Sequence, residues 1–448
     1  MKGPYPPDVA SPGGLPAVPS ILRKASELVT HLHHLWWARK RPAGHVSLLL
    51  GDLLLLPGRN RRNDDLLDAA VEWLCLAQDQ SGCGGVCGLY DLFRGWSGPY
   101  PETTGYIVPT FLRASKQVNR PDLAARAEKM LDWLVDTQLD CGAFPGGITT
   151  GGRQTDPRVF NTGQIMLGLL AGFRFFGAEK CIDSAVRAAD WLCETQDADG
   201  AWRSASYGGF PHAYHTRVAW PLIALGLATG CDRYLEAGER NLAWVLRQQQ
   251  ADGWFDHTEM AAGEPAHLHP IAYTLRGLWE AGALLARRDY QDAVLQGVER
   301  LLSDAEHSRL AGAYASGWQP AGSHLCLTGH AQMACLWMRM YLSDPDIRLF
   351  HAASRTIDLL GRLQDLDNPS SALRGGLRGS YPITGPYMPW CIINWGTKFF
   401  LDALLLERLC RDRAEFQPAE ASPRIVGHER RPAPVSAREE HAPVGPAG

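Results

Sequence analysis

Residues 191–202 read WLCETQDADGAW, and the order of residue types in this stretch returns along the chain. Trp191 is followed after five residues by Gln196, and then by Gly200 and an aromatic residue, Trp202. Four more segments keep this spacing, the first and the last less completely: Trp73, Gln78 and Gly82; Trp133, Gln138, Gly142 and Phe144; Trp244, Gln249, Gly253 and Trp254; Leu359 and Gln364. A fixed period of roughly 55 to 60 residues is the signature of a repeat architecture. The repeats predict one large structure built from similar units.

The sequence between the repeats predicts two kinds of helix in strict alternation. Helices of the first kind carry charges on one face and end near the repeat glutamine, so we expect them on the outside; they are predicted at 63–80, 121–138, 181–196, 233–249, 287–302 and 346–364. Helices of the second kind are apolar nearly all round, as buried helices must be, and are predicted at 103–115, 161–173, 216–228, 271–285, 328–341 and 394–409. Six outer and six inner helices predict an all-α fold, an (α/α)6 toroid of six helical hairpins.

The two ends of the chain differ in composition from the repeats. Residues 1–20 contain six prolines and predict a flexible arm. A helical extension is expected at 21–62 and the toroid at 63–410. Residues 411–448 are rich in Pro, Ala, Glu and Arg, which predicts a disordered tail.

Charge and cysteine content limit the classes of partner and the compartment. The formal net charge of −4 gives no basic field that would attract nucleic acid. No transmembrane segment is predicted, because the longest apolar run, 46–56, is interrupted by Gly51 and Asp52 and is too short to cross a bilayer. The N-terminus lacks a secretory signal, and the eleven cysteines form no CxxC pair. These features favour a cytoplasmic protein with reduced thiols.

Loop lengths indicate which end of the toroid carries the function. Links from an inner helix to the next outer helix are a few residues long, whereas links from an outer to an inner helix run to about twenty residues or more, far above the usual length. We call the two ends the short-loop face and the long-loop face. Long loops on a rigid scaffold commonly carry binding and catalysis. The long-loop face also presents the N-termini of the inner helices, which favour anions.

Polar residues at the starts of the inner helices are the candidates for chemistry. Tyr214, His215 and Arg217 bring a phenol, an imidazole and a guanidinium within four residues, a set that can act as acid, base and carboxylate clamp. The alternative is that His215 caps the helix while Arg217 pairs with a loop carboxylate. Glu102 is a second candidate or a helix-capping carboxylate. The predicted catalytic residues are His215, Tyr214, Arg217, Asn161, Glu102 and Tyr273, and the predicted substrate-binding residues are Tyr100, Tyr106, Gln164, Trp202, Trp254, His269, Arg276, His330, Tyr387, Asn394 and Lys398.

The histidines of the fourth hairpin raise the question of a metal. His257, His267 and His269 are ligand types for zinc, but the HxH pair lacks a fixed third ligand. Alternatively, His269, Tyr273 and Arg276 form one stripe at helical spacing that faces the central cavity. We predict no metal and no cofactor, and no glycine motif for nucleotide binding is present.

The Trp, Gln, Gly and aromatic pattern resembles the QW repeat of the terpenoid cyclase and protein prenyltransferase superfamily over about residues 63–410. This resemblance implies the toroid. The sequence lacks the DxDD acid motif of class II terpene cyclases and the D-x-C element of the prenyltransferase zinc site. The motifs PETTGY at 101–106, NTGQ at 161–164, YHTR-AW at 214–220 and H-IAYT-RGL-EAG at 269–282 are more similar to VpsJ-like proteins, uncharacterised toroid proteins of bacterial exopolysaccharide and O-antigen clusters. That similarity implies cell-surface polysaccharide biosynthesis.

The leading hypothesis is an enzyme that acts on an acidic polysaccharide or oligosaccharide in a groove across the long-loop face, as a uronate lyase or C5-epimerase. Asn161 and Arg217 would neutralise the carboxylate, His215 would abstract the C5 proton, and Tyr214 or Tyr273 would be the acid. Other polysaccharide-assembly proteins would be its partners.

Three alternatives remain open from the sequence. A glycan hydrolase would pair Glu102 with Asp156 or Asp256. A non-catalytic glycan-binding or assembly protein would use the same rings for stacking. An isoprenoid cyclase or prenyltransferase-like enzyme would need a dry, closed, aromatic cavity with an acid at its end, whereas a polysaccharide enzyme would need an open polar groove.

Overall fold

A computed structural model of the protein describes residues 43–54, 58–149 and 156–416. The predicted flexible arm, most of the predicted extension and most of the predicted tail lie outside these residues. The described part of the extension contains a helix, α1 (Ala43–Leu53).

Twelve further helices follow in chain order and alternate as the sequence predicts. They are α2 (Asn63–Ser81), α3 (Pro101–Gln117), α4 (Asp122–Thr137), α5 (Val159–Phe176), α6 (Glu179–Thr195), α7 (Thr216–Thr229), α8 (Asp232–Leu246), α9 (Leu268–Leu285), α10 (Arg288–Glu306), α11 (Leu327–Ser343), α12 (Ile347–Leu363) and α13 (Asn394–Phe416). Even-numbered helices from α2 onward form the outer layer, and odd-numbered helices from α3 onward form the inner layer. The prediction of an all-α (α/α)6 toroid is confirmed.

Hydrogen bonds between the first and last hairpins close both layers into rings. In the inner layer, Thr110 Oγ1 of α3 donates to Asp402 Oδ1 of α13 at 2.9 Å. In the outer layer, Gln364 Nε2, directly after α12, donates to the carbonyl of Leu66 in α2 at 3.2 Å. Because the ends meet, none of the helices α2 to α13 lies at an unpaired edge of the array.

The repeat glutamine joins neighbouring outer helices. Gln138 Nε2 donates to the carbonyl of Gly142 at 2.7 Å and to that of Ser184, in the next outer helix, at 2.9 Å. Gly142 has φ +91°, and a Cβ there would lie 2.4 Å from a backbone oxygen of α6, so only glycine fits. The first repeat differs from the sequence pattern, because Gln78 bonds to Gly84 instead of Gly82. Gln138 therefore fixes the end of its outer helix, its own loop and the next outer helix.

Short strands, which the sequence analysis did not predict, join the long loops. The strands are β1 (Leu89–Asp91), β2 (Gly95–Trp96), β3 (Ala266–His267), β4 (Ala313–Ala315), β5 (Gln319–Pro320), β6 (Leu325–Cys326), β7 (Leu377–Arg378), β8 (Ser380–Tyr381) and β9 (Cys391–Ile393). They form sheets in the order β2-β1-β9-β7, β3-β4-β5 and β6-β8. The antiparallel pairing of β1 with β9 ties the first long loop to the last.

One helix of the described residues, α5, is long and apolar enough to cross a membrane by length and composition. In the toroid, 67% of that apolar window is buried, and α5 packs between α3 and α7. Its apolar character is explained by its place in the inner layer. All eleven cysteines of the sequence are unpaired.

Candidate active site

The starts of the inner helices converge at the long-loop face, and most supply polar side chains there within their first two turns. The set comprises Glu102 of α3, Asn161 and Gln164 of α5, Arg217 of α7, His269 and Tyr273 of α9, Gln332 of α11, and Asn394 and Lys398 of α13. None of these residues is more than 7% exposed. We call this set the central site. It is buried, whereas the sequence analysis expected an open groove.

Glu102 is the carboxyl group of the central site. It is the second residue of α3, and Tyr100 Oη donates to its Oε2 at 2.6 Å. Burial raises the pKa of Glu102 to about 7, although the bond from Tyr100 and the charge of Arg217 act in the opposite direction. Tyr100 is its hydrogen-bond partner among the described residues, so the role of a helix-capping carboxylate gains no support. A carboxyl group that ionises near neutral pH can both accept and donate a proton.

Arg217 carries the positive charge that acts on the pKa of Glu102. Its Nε and Nη2 donate to Gln164 Oε1 at 3.1 and 2.9 Å, and its guanidinium lies 4.9 Å from the ring centre of Trp220 and 5.1 Å from that of Tyr273. Burial lowers the pKa of Arg217 to about 10, so the group remains protonated at neutral pH. Arg217 bonds to an amide instead of the loop carboxylate considered from the sequence, and its charge remains available to an anion.

His269 is a neutral imidazole with one free nitrogen. Its Nδ1 lies 2.9 Å from Gln332 Oε1, and because a carbonyl oxygen only accepts, Nδ1 carries the hydrogen and Nε2 the lone pair. Burial lowers the pKa of His269 to about 3. The ring of Tyr273 lies 4.3 Å away. Within the described part of the chain Nε2 has no hydrogen-bond partner, so it is available to accept a hydrogen bond.

His215, the base proposed from the sequence, is enclosed by aromatic rings. The ring centres of Trp202, Tyr214 and His212 lie 6.0, 5.4 and 5.3 Å from its own. Neither ring nitrogen has a hydrogen-bond partner in the described residues. Burial lowers the pKa of His215 well below its usual range, so the ring is neutral. His215 therefore lacks the polar contacts that a helix-capping role would need.

Several other predicted residues adjoin the central site. Asn161 Oδ1 accepts from Tyr207 Oη at 2.7 Å, and its Nδ2 is buried without a partner among the described residues. Lys398 Nζ lies 5.0 Å from the ring centre of Tyr106 and 2.8 Å from Asp402 Oδ2, and burial lowers its pKa to about 8. Other contacts of this region join Tyr387 to Trp395 and to His269, and Asn394 to Thr103.

Four predicted binding residues make contacts typical of the scaffold. Trp202 is fully buried and donates from Nε1 to Leu192 O at 2.9 Å, while Trp254 packs on Trp318 with ring centres 5.2 Å apart. His330 Nδ1 pairs with the carbonyl of Cys326 before its own helix. Arg276 pairs with Glu280, one turn further along α9.

Two residues of the site were absent from the predicted set. Tyr207 lies in a long loop that lacks periodicity. Gln332 is the sixth residue of α11, and the sixth residues of α3, α5 and α9 are Tyr106, Gln164 and Tyr273. Aligning the inner helices by their starts would have identified Gln332.

The histidines considered for a metal site are separated. His257 packs against Trp244, while His267 packs against His324, with ring centres 5.7 Å apart in both pairs. Within residues 43–54, 58–149 and 156–416, no three His, Cys, Asp or Glu side chains converge so that they would hold a metal ion.

The sequence matches no protein-family model and no curated protein. Solved structures do match. An unsaturated glucuronyl hydrolase specific for heparin has a TM-score of 0.60 and 14% identity, over 78% of this chain and 99% of that chain. The unsaturated glucuronyl hydrolase of Bacillus sp. GL1 has a TM-score of 0.60 and 17% identity, over 77% and 96%. Cellobiose 2-epimerase from Bacillus thermoamylovorans B4167 has a TM-score of 0.60 and 14% identity, over 77% and 97%.

The chain shares their fold. At these identities the likeness establishes the toroid architecture, in agreement with the hydrogen bonds that close both helical layers.

Proposed function

We propose that the protein is a carbohydrate-active enzyme that moves a proton on an acidic sugar of the uronate type, by elimination or C5-epimerisation. The observation that carries the proposal is Glu102, a buried carboxyl group with a pKa of about 7, beside the protonated Arg217. Matching structures described as a glucuronyl hydrolase and a sugar epimerase support the choice of a sugar substrate.

The roles follow from charge and protonation state. The proton at C5 of a uronate becomes acidic only when the adjacent carboxylate is neutralised, and we assign this task to Arg217 and Lys398. Glu102 takes the C5 proton, since its pKa near neutrality suits a general base. In elimination, the C4–O bond breaks, a C4–C5 double bond forms, and the leaving oxygen receives a proton. In epimerisation, Tyr273 returns a proton from the opposite face.

His269 and Asn161 complete the proposed assignment. The free Nε2 of His269, on a ring whose centre lies 4.3 Å from that of Tyr273, would accept a hydrogen bond from a sugar hydroxyl group. After epimerisation, Glu102 would release its proton to solvent and Tyr273 would regain one from solvent. The unpartnered Nδ2 of Asn161 would donate to a sugar oxygen. We assign proton transfer to Glu102 and Tyr273 in preference to His215, because aromatic rings enclose that imidazole.

Hydrolysis by two carboxylates has less support. Such a mechanism needs a second carboxyl group about 5 to 10 Å from Glu102. Among the described residues, Arg217 is the charged group that acts on the pKa of Glu102, and no other carboxylate contributes. Asp256 accepts a hydrogen bond from Gln250 Nε2 at 2.8 Å in its own loop.

The isoprenoid alternative fits one observation and conflicts with another. A buried, ring-lined site with a protonatable carboxyl group would suit a carbocation. However, the same site contains Arg217 and Lys398, and their guanidinium and ammonium charges would repel a carbocation. The same charges attract a uronate carboxylate, and therefore favour the sugar.

We further propose that the protein acts in the cytoplasm in the synthesis of a cell-surface polysaccharide, with other assembly proteins as partners. The similarity of its inner-helix motifs to VpsJ-like proteins and the eleven unpaired cysteines support this assignment.

Incubation of the purified protein with a panel of uronate oligosaccharides in deuterium oxide tests the proposal. We expect deuterium at C5 by nuclear magnetic resonance, or ultraviolet absorbance from a new C4–C5 double bond. The rate should rise with pH through about 7, because the base is the ionised form of Glu102. Glu102→Gln should lower the rate by about 100-fold or more, whereas Glu128→Gln, an exposed change on α4, should not. Binding of oligosaccharide without either signal would identify a glycan-binding protein and refute the enzyme.

A further inference from the structure

Two buried carboxylates lie deeper in the toroid than the central site, and each contacts two cations. Glu280 of α9 accepts from Arg276 at 2.5 Å and from Arg339 of α11 at 2.7 Å. Asp402 of α13 accepts from Arg113 of α3 at 2.9 Å and lies 2.8 Å from Lys398 Nζ. Burial would raise the pKa of Glu280, but the two arginines outweigh it and lower the value to about 2. Both sets therefore contain an ionised acid and two cations.

One cation of each set is not needed to join helices. Arg339 and Arg113 reach the carboxylate of a neighbouring helix and so connect two inner helices. Arg276 and Lys398, by contrast, lie four residues before their carboxylates on the same helix. Four cations face two carboxylates, which leaves two positive charges without a counter-charge. Excess charge in a partly buried place is unfavourable unless an anion completes the site.

The two sets occupy one region inside the ring of inner helices. Cys335 of α11 is buried beside them, and its Sγ donates to the carbonyl oxygen of Phe399 in α13 at 3.4 Å. Asp402, Arg276, Lys398 and Arg113 all act on the pKa of Cys335, which burial raises to about 12. Asp402 also acts on the pKa of Arg339. The charges of α3, α9, α11 and α13 therefore belong to one cluster.

This cluster opens toward the short-loop face. Arg113 and Arg339 are the thirteenth residues of α3 and α11, while Glu102 is the second residue of α3. At about 1.5 Å per residue, the arginines lie roughly 16 Å deeper than Glu102. Their side chains are nevertheless 37% and 39% exposed. Because the long-loop side is occupied by the buried central site, these guanidinium groups meet solvent at the opposite end.

The three arginines also have unused donors. Within the described residues, Arg339 bonds through Nε and Nη2, Arg276 through Nε and Arg113 through Nη1, so the remaining guanidinium nitrogens have no acceptor. Guanidinium groups bind tetrahedral oxyanions and carboxylates through paired N–H donors.

We propose that the short-loop end of the toroid is a second anion-binding site, in which Arg113, Arg276 and Arg339 bind a doubly charged phosphoryl group. A dianion matches the two uncompensated positive charges. The phosphoryl group would belong to free phosphate or to a phosphorylated sugar. This site adjoins the central site through Lys398 and Asp402, but phosphate binding by the three arginines does not depend on the reaction proposed for the central site.

Calorimetric titration of the full-length protein with inorganic phosphate, at constant ionic strength set by sodium chloride, tests the site. We expect saturable binding that weakens about tenfold or more in Arg276→Gln and in Arg339→Gln, as for the loss of a charge-assisted hydrogen bond. Arg348→Gln removes an exposed arginine that pairs with Glu299 on the outer layer, and should leave binding unchanged. Tighter binding of a sugar phosphate than of phosphate would identify the phosphorylated sugar as the source.

Thermal unfolding separates this proposal from a purely structural role. Without phosphate, Arg276→Gln should unfold at the same or a higher temperature than the wild type, because it removes an uncompensated charge. Phosphate should raise the unfolding temperature of the wild type but not of this variant. A lower unfolding temperature of Arg276→Gln together with unchanged phosphate binding would overturn the proposal, as would the absence of saturable binding to the wild type.

Discussion

Replacement of Glu102 by glutamine should stabilise the fold while it removes activity. The pKa of an ordinary glutamic acid is 4.5, and burial raises that of Glu102 to about 7. One pKa unit corresponds to about 1.4 kcal/mol, so the ionised form of Glu102 costs the folded state roughly 3 kcal/mol. Glutamine keeps an oxygen that accepts the bond from Tyr100 and carries no charge. The cost should therefore disappear in Glu102→Gln.

The sign of this effect depends on pH. A carboxyl group whose pKa is higher in the folded than in the unfolded state binds more protons when folded, so stability falls as pH rises from about 4.5 to about 7. Above this window, Glu102→Gln should increase the free energy of unfolding by about 3 kcal/mol. At about pH 4.5 the gain should shrink to about 0.4 kcal/mol, because Glu102 is then protonated in the folded state.

Urea unfolding at about pH 4.5 and pH 8 measures both values. Glu128→Gln, on the exposed side of α4, serves as the control and should show no difference between the two conditions. If Glu102→Gln instead destabilises the protein at pH 8, the carboxylate is held by favourable contacts and its proposed role as a half-ionised base is wrong.

The remaining predictions concern the scaffold. Gln138→Ala should lower the free energy of unfolding by about 2 to 4 kcal/mol, because the buried amide donates to two carbonyls and accepts from Ser184 Oγ and Arg187. Its control is Gln319→Ala, at an exposed amide, which should change the free energy of unfolding by less than about 0.5 kcal/mol. Glu280→Gln should lower the free energy of unfolding by roughly 2 to 4 kcal/mol, because its two arginines lose their counter-charge. This range already allows for solvent screening of Arg339, whose side chain is 39% exposed. Glu299→Gln breaks an exposed pair and should cost less than about 1 kcal/mol. Urea titration of the four variants checks these values, and equal losses in each pair would contradict the reasoning.

The helical layers could be predicted because their signals are local and repeated. The outer helix at 121–138 and the inner helix at 161–173 agree with α4 and α5 to within a few residues, since amphipathic and uniformly apolar periods identify the two layers. The strands could not be predicted. β1 and β9 have three residues each, and their pairing joins positions about 300 residues apart.

The candidate site was predicted in location but only partly in its contacts. Glu102, Arg217 and His269 were chosen because they stand at the starts of inner helices, and these starts converge. The enclosure of His215 by aromatic rings was not visible, because Phe160 comes from another hairpin and Trp202 reaches the ring only through the fold of their shared long loop. The repeat pattern also predicted Gly82 as the glycine that belongs with Gln78, whereas in the folded chain Gln78 bonds to the carbonyl of Gly84. The spacing along the sequence does not reveal this two-residue difference.

The sequence by itself determined the toroid, its two layers and the face where the long loops gather, because periodicity and loop length are properties of neighbouring residues. Only the tertiary structure decided the state of each functional group. The raised pKa of Glu102, the free nitrogen of His269 and the charge excess around Cys335 all arise from burial and from side chains of other helices. Such effects depend on distance in space, which residue spacing along the chain does not encode.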